Sequence, residues 1–303
     1  MMKSVGLFFV VFLCTVWSTV IHAGNVATKP APKNTGASIA TPTTPILPTV
    51  NLPRVLGVTI DNVDNITAVI AALKKLPVPR PTIRVVFDEY VAAKHYLTAV
   101  KQLAVVADVM GELIDSEYMK LYSVTSYKNR AEDYLKILGS YVAIWEIGNE
   151  VNGEWLGTNV IEKILAAHGV FVKAGKKVVV NFYYNKGCSE NGHEMFDWIN
   201  SNVPTSLRTG LDWVLFSYYE DDCNNIVHDA AYWEGVFTQL SGVFPTARLG
   251  FGEVGTSKRR SKELYVQRYY SLKLNHQKFI GGFFWWYFYQ DMKNFPGWVT
   301  TAW

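Results

Sequence analysis

A single (β/α)8 barrel, the TIM barrel of the α/β class, is the fold that the sequence predicts for residues 54–303, and three observations predict it. Short apolar runs ending in polar or acidic residues alternate with amphipathic segments, eight times over. The 250 residues from Arg54 to Trp303 are the usual length of such a barrel. The first apolar run ends Thr59-Ile60-Asp61-Asn62, without the Gly-rich turn by which a doubly wound dinucleotide-binding sheet would hold a pyrophosphate.

The predicted strands are Val55–Asp61, Thr82–Glu89, Asp108–Ile114, Val142–Ile147, Val178–Tyr184, Trp213–Tyr219, Arg248–Glu253 and Ile280–Phe288. Their near-continuous apolar character is that of strands covered on both faces. Between them, three- and four-residue apolar spacing predicts helices over Ile66–Leu76, Tyr96–Ala107, Asn129–Leu138, Ile161–Lys173, Ala231–Val243 and Lys262–Leu274, with a shorter one over Glu194–Asn202. Leu97, Val100, Leu103, Ala104 and Ala107 show the pattern.

Two segments precede the barrel. Lys3, the apolar run Val5–Val20 and the closing Ile21-His22-Ala23 read as a secretory signal peptide, residues 1–23, cut after Ala23. The run is too short and too polar in places for a spanning helix, which wants about 20 apolar residues. Residues 24–53 then hold six of the chain's 12 prolines, six threonines and no aromatic or acidic residue. Such a stretch cannot bury enough apolar surface to fold, so a disordered linker is expected.

Composition excludes several function classes. The net charge of +3 is accounted for by Lys3, Lys29 and Lys33, so the barrel is near neutral and offers no basic face for nucleic acid. No later segment is apolar enough to span a membrane, so a soluble, secreted monomer is expected. The six histidines show no metal-ligand spacing, and no phosphate-cradling loop or serine elbow is present, so neither metal nor cofactor is expected. Once Cys14 leaves with the signal peptide, Cys188 and Cys223 remain, both in polar loop-like stretches; an oxidising compartment would join them. Aromatic residues are plentiful at 14% and gather in Phe182-Tyr183-Tyr184, Tyr218-Tyr219 and Phe283–Tyr289, where some would pack under helices and others could face a sugar.

Two strand ends carry candidate chemistry. The fourth strand runs into Gly148-Asn149-Glu150 and the seventh into Gly252-Glu253. A barrel brings the tops of these strands together, where catalytic residues of the fold collect. Two carboxylates roughly 5–5.5 Å apart are what retaining glycoside hydrolysis needs, one protonated to release the leaving oxygen and one ionised to attack the anomeric carbon.

The Asn-Glu pair ending strand four, the lone Glu ending strand seven and a Trp on strand eight resemble clan A of the retaining glycoside hydrolases. The resemblance implies Glu150 as acid/base and Glu253 as nucleophile, with Asn149 binding the sugar 2-hydroxyl. It likewise implies that Arg84 steadies the nucleophile, that Tyr218 lies beside it, and that Trp286, with neighbouring Trp285, floors the reactive sugar's site. Ile147–Val151 also resembles the β-1,3-glucanases of plants and fungi, but their Gly-Trp-Pro after the nucleophile is replaced here by Val254-Gly255-Thr256.

Several readings of these residues stay open. Glu146 and Glu154 flank Glu150 as alternative acids, and Arg84 could be a buried ion-pair partner. Tyr218 and Tyr219 point opposite ways on a strand, and Tyr218 is preferred. Trp155, Trp233 and Trp298 are groove candidates; Asp88, Glu89, Asp221 and Asp222 line strand ends. The function expected is a secreted retaining β-glycoside hydrolase, endo-acting on a polysaccharide or oligosaccharide, with a transglycosylase or a non-catalytic carbohydrate-binding barrel as alternatives.

Overall fold

The computed structural model describes residues 54–303. The signal-peptide and linker assignments lie outside the described residues. Within them the eight strands close into a parallel barrel in chain order: β1 (Val55–Ile60), β2 (Thr82–Val86), β3 (Asp108–Glu112), β4 (Ile144–Glu146), β5 (Lys177–Tyr183), β6 (Trp213–Tyr218), β7 (Arg248–Val254) and β8 (Phe279–Trp285). The (β/α)8 prediction therefore holds.

Around the barrel lie α1 (Ile66–Leu73), α2 (Leu97–Val106), α3 (Val124–Leu138), α4 (Val160–Lys173), α5 (Met195–Asn202), α6 (Thr205–Gly210), α7 (Ala230–Val243) and α8 (Lys262–Tyr270), followed by the short α9 (Phe288–Asp291) and α10 (Phe295–Thr300). Helix α3 begins five residues before its predicted start. Buried Tyr127 extends the apolar period of Ala131, Tyr134 and Leu138 back into this first turn, and the Ser123 hydroxyl accepts from Ser126 N at 3.1 Å and caps it. Helix α6 (TSLRTG) is too short for any period to register.

Strand β8 is irregular. Gly281 and Gly282 have φ of 83° and 89°, Phe283 and Phe284 follow at 68° and 22°, and the pairing with β1 and β7 shifts register there. A Cβ on Gly57 or Gly250 would come within 2.7 Å of Gly282 O or 2.6 Å of Gly281 O, so both neighbouring strands carry glycine beside the bulge. The bulge ends the strand at Trp285, three residues before the predicted Phe288.

Apolar packing falls into two bodies. The large one fills the space between strands and helices. A small one of Met110, Ile144, Val179, Leu215, Ile280 and Phe284 plugs the lower barrel interior. Two residues further along the same strands the interior turns polar, at Glu112, Glu146, Asn181 and Ser217. Cys188 and Cys223 are disulfide-bonded, with Cα atoms 5.2 Å apart, and clip the loop after β5 to the loop after β6. No helix among the described residues is long and apolar enough to cross a membrane.

Candidate active site

The upper interior is organised by Arg84, fully buried on β2. Its Nε lies 3.2 Å from Glu112 Oε2 and its Nη1 3.6 Å from Glu146 Oε1, while Nη2 donates to Glu253 Oε2. Nη1 also donates to Gly252 O at 3.2 Å. Burial alone would lower the Arg84 pKa, but Glu253, Glu112 and Glu146 outweigh it and hold the guanidinium charged. One cation cannot neutralise three carboxylates in a medium this dry. Burial therefore pushes Glu112 well above the carboxylate range and Glu146 from 4.5 up to about 7, with Arg84 pulling each back.

Glu253 receives three donors: Arg84, the Tyr219 hydroxyl on Oε1, and Asn149 Nδ2, which reaches Oε2 at 3.3 Å. The same Asn149 amide donates to Glu146 Oε1 at 3.2 Å, and its Oδ1 accepts from Ser116 N at 3.3 Å. The amide is thus fixed from three sides. Burial and the charge of Glu253 push the Tyr219 hydroxyl well above its ordinary value, so it stays a donor.

Glu150 lies in different surroundings. It follows β4 in a turn with φ of 45°, in the left-handed region that a glutamate rarely occupies. The turn is pinned on both sides: Asn181 N donates to Gly148 O at 2.9 Å, Val151 N to Asn181 O at 3.1 Å, and Gly153 N to Glu150 O at 2.7 Å. The carboxyl accepts from Ser116 Oγ at 3.2 Å, and Ser116 accepts in turn from Trp155 Nε1 at 3.0 Å. Loss of water raises the Glu150 pKa well above the carboxylate range, and the nearby charge of Glu253 adds to it; Ser217 and Ser116 oppose both. Asn181 Nδ2 holds Ser217 Oγ at 2.7 Å.

The structure thus gathers Glu150, Glu253, Asn149 and Arg84 in one place and sets Trp286 over them. The Trp286 ring is half-buried, with its centroid 5.4 Å from the Arg84 guanidinium. Trp155 is half-buried beside Glu150, edge-on to Tyr183 with ring centroids 5.8 Å apart.

Two of the residues predicted to bind substrate are elsewhere. Tyr218 is buried on the outer face, its hydroxyl donating to Ile226 O at 2.7 Å and its ring against Trp233; the tyrosine on Glu253 is Tyr219. Strand β6 alternates regularly: Leu215 lies inside the barrel, as do Ser217 and Tyr219 after it, while Val214, Phe216 and Tyr218 pack outward. Trp285 is also buried, its Nε1 donating to Asp291 Oδ2 at 3.0 Å beneath α10. It points away from the mouth because it is the strand neighbour of Trp286.

Other candidates sort as follows. Trp233 belongs to the outer core, and Trp298 packs partly against it. Glu154 is exposed, and Glu146 lies under the site. Asp221 binds Lys258, Thr256 and Tyr265, tying the loop after β6 to that after β7, and Asp88 accepts from Tyr96. Sequence reasoning missed Ser116, Ser217 and Glu112, because single polar residues at strand ends give no pattern. Among the described residues no cluster suited to a metal ion is present.

No family model matches the sequence, and no curated protein sequence is similar to it. Solved structures do share the fold. Gas2p of Saccharomyces cerevisiae in complex with laminaritriose and laminaritetraose superposes with a TM-score of 0.55 at 15% identity, over 82% of this chain and 65% of that one. Its complex with laminaripentaose gives 0.55 at 14%, with the same coverage. A calcium-binding mutant of Bacteroides uniformis beta-glucuronidase 2 gives 0.52 at 15%, over 78% of this chain and 31% of that one. The chain thus spans under two thirds of each neighbour, and the likeness is one of fold, the (β/α)8 barrel.

Proposed function

We propose that the protein is a secreted retaining β-glycoside hydrolase acting on a neutral β-linked polysaccharide, with Glu150 as acid/base and Glu253 as nucleophile. The observation that carries this reading is the contrast between the two carboxyls. Glu150, short of water and beside another acid, is pushed toward its protonated form, whereas the Glu253 carboxyl accepts hydrogen bonds from Arg84, Tyr219 and Asn149. Two neighbouring carboxyls in such different surroundings, one short of donors and one ringed by them, are the pattern of acid/base division.

In the first step Glu253 attacks the anomeric carbon while Glu150 passes its proton to the departing oxygen. The Glu150 charge that results is received by Ser116 and Ser217. In the second step Glu150 takes a proton from water, which displaces Glu253 and restores the original configuration. Asn149 hydrogen-bonds the sugar 2-hydroxyl, and Trp286 floors the ring. Trp155 and Tyr183, next to the acid, take the leaving side. A sugar bound there in place of water would give transglycosylation. The disulfide fits an oxidising compartment.

The test is release of reducing sugar from laminarin, mixed-linkage glucan, mannan, xylan and galactan. The laminari-oligosaccharides bound by Gas2p make laminarin the first of these to try. Glu150→Gln should lower kcat/KM about 10²–10⁴-fold, and Glu253→Gln at least as much. Activity untouched by both changes would end the catalytic reading. Inversion of the anomeric configuration would end the double-displacement mechanism.

A further inference from the structure

We propose that Tyr90 is the floor of a distal sugar subsite, stacking under a neutral pyranose of the same glycan chain whose bond is cut at Glu150; this rests on the reading above. Tyr90 follows β2 on the catalytic face of the barrel and is 70% exposed, the one aromatic among the strongly exposed large apolar residues described. Its exposure is constructed rather than incidental. The backbone is left-handed at φ 59°, a conformation costly for a tyrosine, and Tyr90 N donates to the Tyr122 hydroxyl at 2.7 Å. The Tyr90 ring lies 5.4 Å from that of Tyr122 at 24°, so one face rests on a buried ring and the other is open. An aromatic plane with one face held is the surface that the C–H face of a sugar takes.

Continuity with the catalytic cleft comes from one segment. The 3₁₀ stretch Ser116–Leu121 starts at the serine that touches Glu150 and ends where the Tyr90 hydroxyl reaches Leu121 O at 3.4 Å. At about 2 Å of rise per residue, the five steps from Ser116, which touches Glu150, to Leu121, which touches Tyr90, span roughly 10 Å, enough for an intervening sugar. Glu89 and Glu117 flank Tyr118 between these ends, close enough to raise its hydroxyl pKa. Carboxylates there accept from sugar hydroxyls, and with Lys120 on the same segment the local charge is mixed, which suits a neutral sugar.

The experiment uses the whole chain carrying Glu253→Gln, titrated by affinity electrophoresis into laminarin, mixed-linkage glucan, galactomannan, xylan and galactan, and into the disaccharide of whichever polymer binds best. Adding Tyr90→Ala should weaken the polymer about five- to tenfold and leave the disaccharide unchanged, while Tyr90→Trp should keep polymer affinity. Tyr90→Gly, which relieves the left-handed backbone, should melt no lower than the parent and lose the same affinity. Unchanged polymer affinity in Tyr90→Ala, or equal weakening of polymer and disaccharide, would overturn the subsite. Failure of the Glu253→Gln protein to bind any polymer would overturn the saccharide reading and the subsite with it.

Discussion

The barrel interior has two halves built on the same strands. In the lower half Met110, Ile144, Val179, Leu215, Ile280 and Phe284 form a closed apolar plug. Two residues further along, Glu112, Glu146, Asn181 and Ser217 join Arg84 and Glu253 in a polar layer that is equally dry. Identical strand geometry thus supports opposite chemistry, and the difference lies in what each half leaves unresolved. The plug satisfies itself by contact. The polar layer does not: Glu112 Oε1, Glu146 Oε2 and Asn181 Oδ1 accept no hydrogen bond from the described residues. Buried polar atoms without partners destabilise a fold, and their concentration at one end marks where stability has been given up.

Removing the cation should show this most severely. Arg84→Met leaves Glu112, Glu146 and Glu253 without their shared guanidinium, so stability should fall by about 3–5 kcal/mol at neutral pH. The loss should shrink at pH 5, where the carboxyls can take up protons. Chemical denaturation at both pH values checks it, and an equal loss at both would mean that the guanidinium acts through packing alone. In the plug, Leu215→Ala should cost about 2–5 kcal/mol through transfer and cavity terms, with kcat unchanged below the shifted melting point. If it lowered kcat as strongly as stability, the two halves would be one coupled unit.

The sign of the polar layer's cost is set by Glu146. Its folded-state pKa of about 7 lies above the ordinary 4.5, so the folded protein holds this proton more tightly than the unfolded chain does. Stability from that proton is complete below about pH 4.5 and is lost as pH rises through 7. A tenfold difference in proton affinity is worth about 1.4 kcal/mol, so the loss is of the order of 3 kcal/mol. Glu146→Gln has no such loss. The stability of Glu146→Gln relative to the parent should therefore rise between pH 5 and pH 8, whatever its level at pH 5. A flat difference would assign the proton to Glu112.

How far these halves could be read from the sequence differs for physical reasons. The barrel was legible because eight strand patterns alternate with seven helical ones, so end errors of up to five residues leave the strand count intact. Glu150, Glu253 and Asn149 were legible because they end their strands, where the fold places chemistry. The Arg84 cluster was half legible. An arginine inside an apolar run announces a buried partner, but which carboxylates close on it depends on register across four strands. Trp285 and Tyr218 were misread for one reason: each has an aromatic neighbour on its strand, and only the phase of the alternation, set by interior residues such as Leu215 and Phe284, decides which of the two faces the mouth. The β8 bulge, which moves the strand's end, comes from three-dimensional closure and has no signature in residue order beyond scattered glycines such as Gly57 and Gly250.

The smallest effect tests that misreading directly. Tyr218 and Tyr219 are adjacent, and each loses only a hydroxyl on change to Phe. Tyr219→Phe removes one of the three donors on Glu253, so kcat/KM should drop about tenfold, with the melting temperature nearly unchanged. Tyr218→Phe leaves the loop carbonyl of Ile226 without its donor, so stability should fall by about 1 kcal/mol while kcat/KM stays within about twofold. The pair separates the catalytic from the structural face of one strand. A tenfold kinetic loss in Tyr218→Phe with none in Tyr219→Phe would mean that Tyr218 faces Glu253, against the alternation along β6.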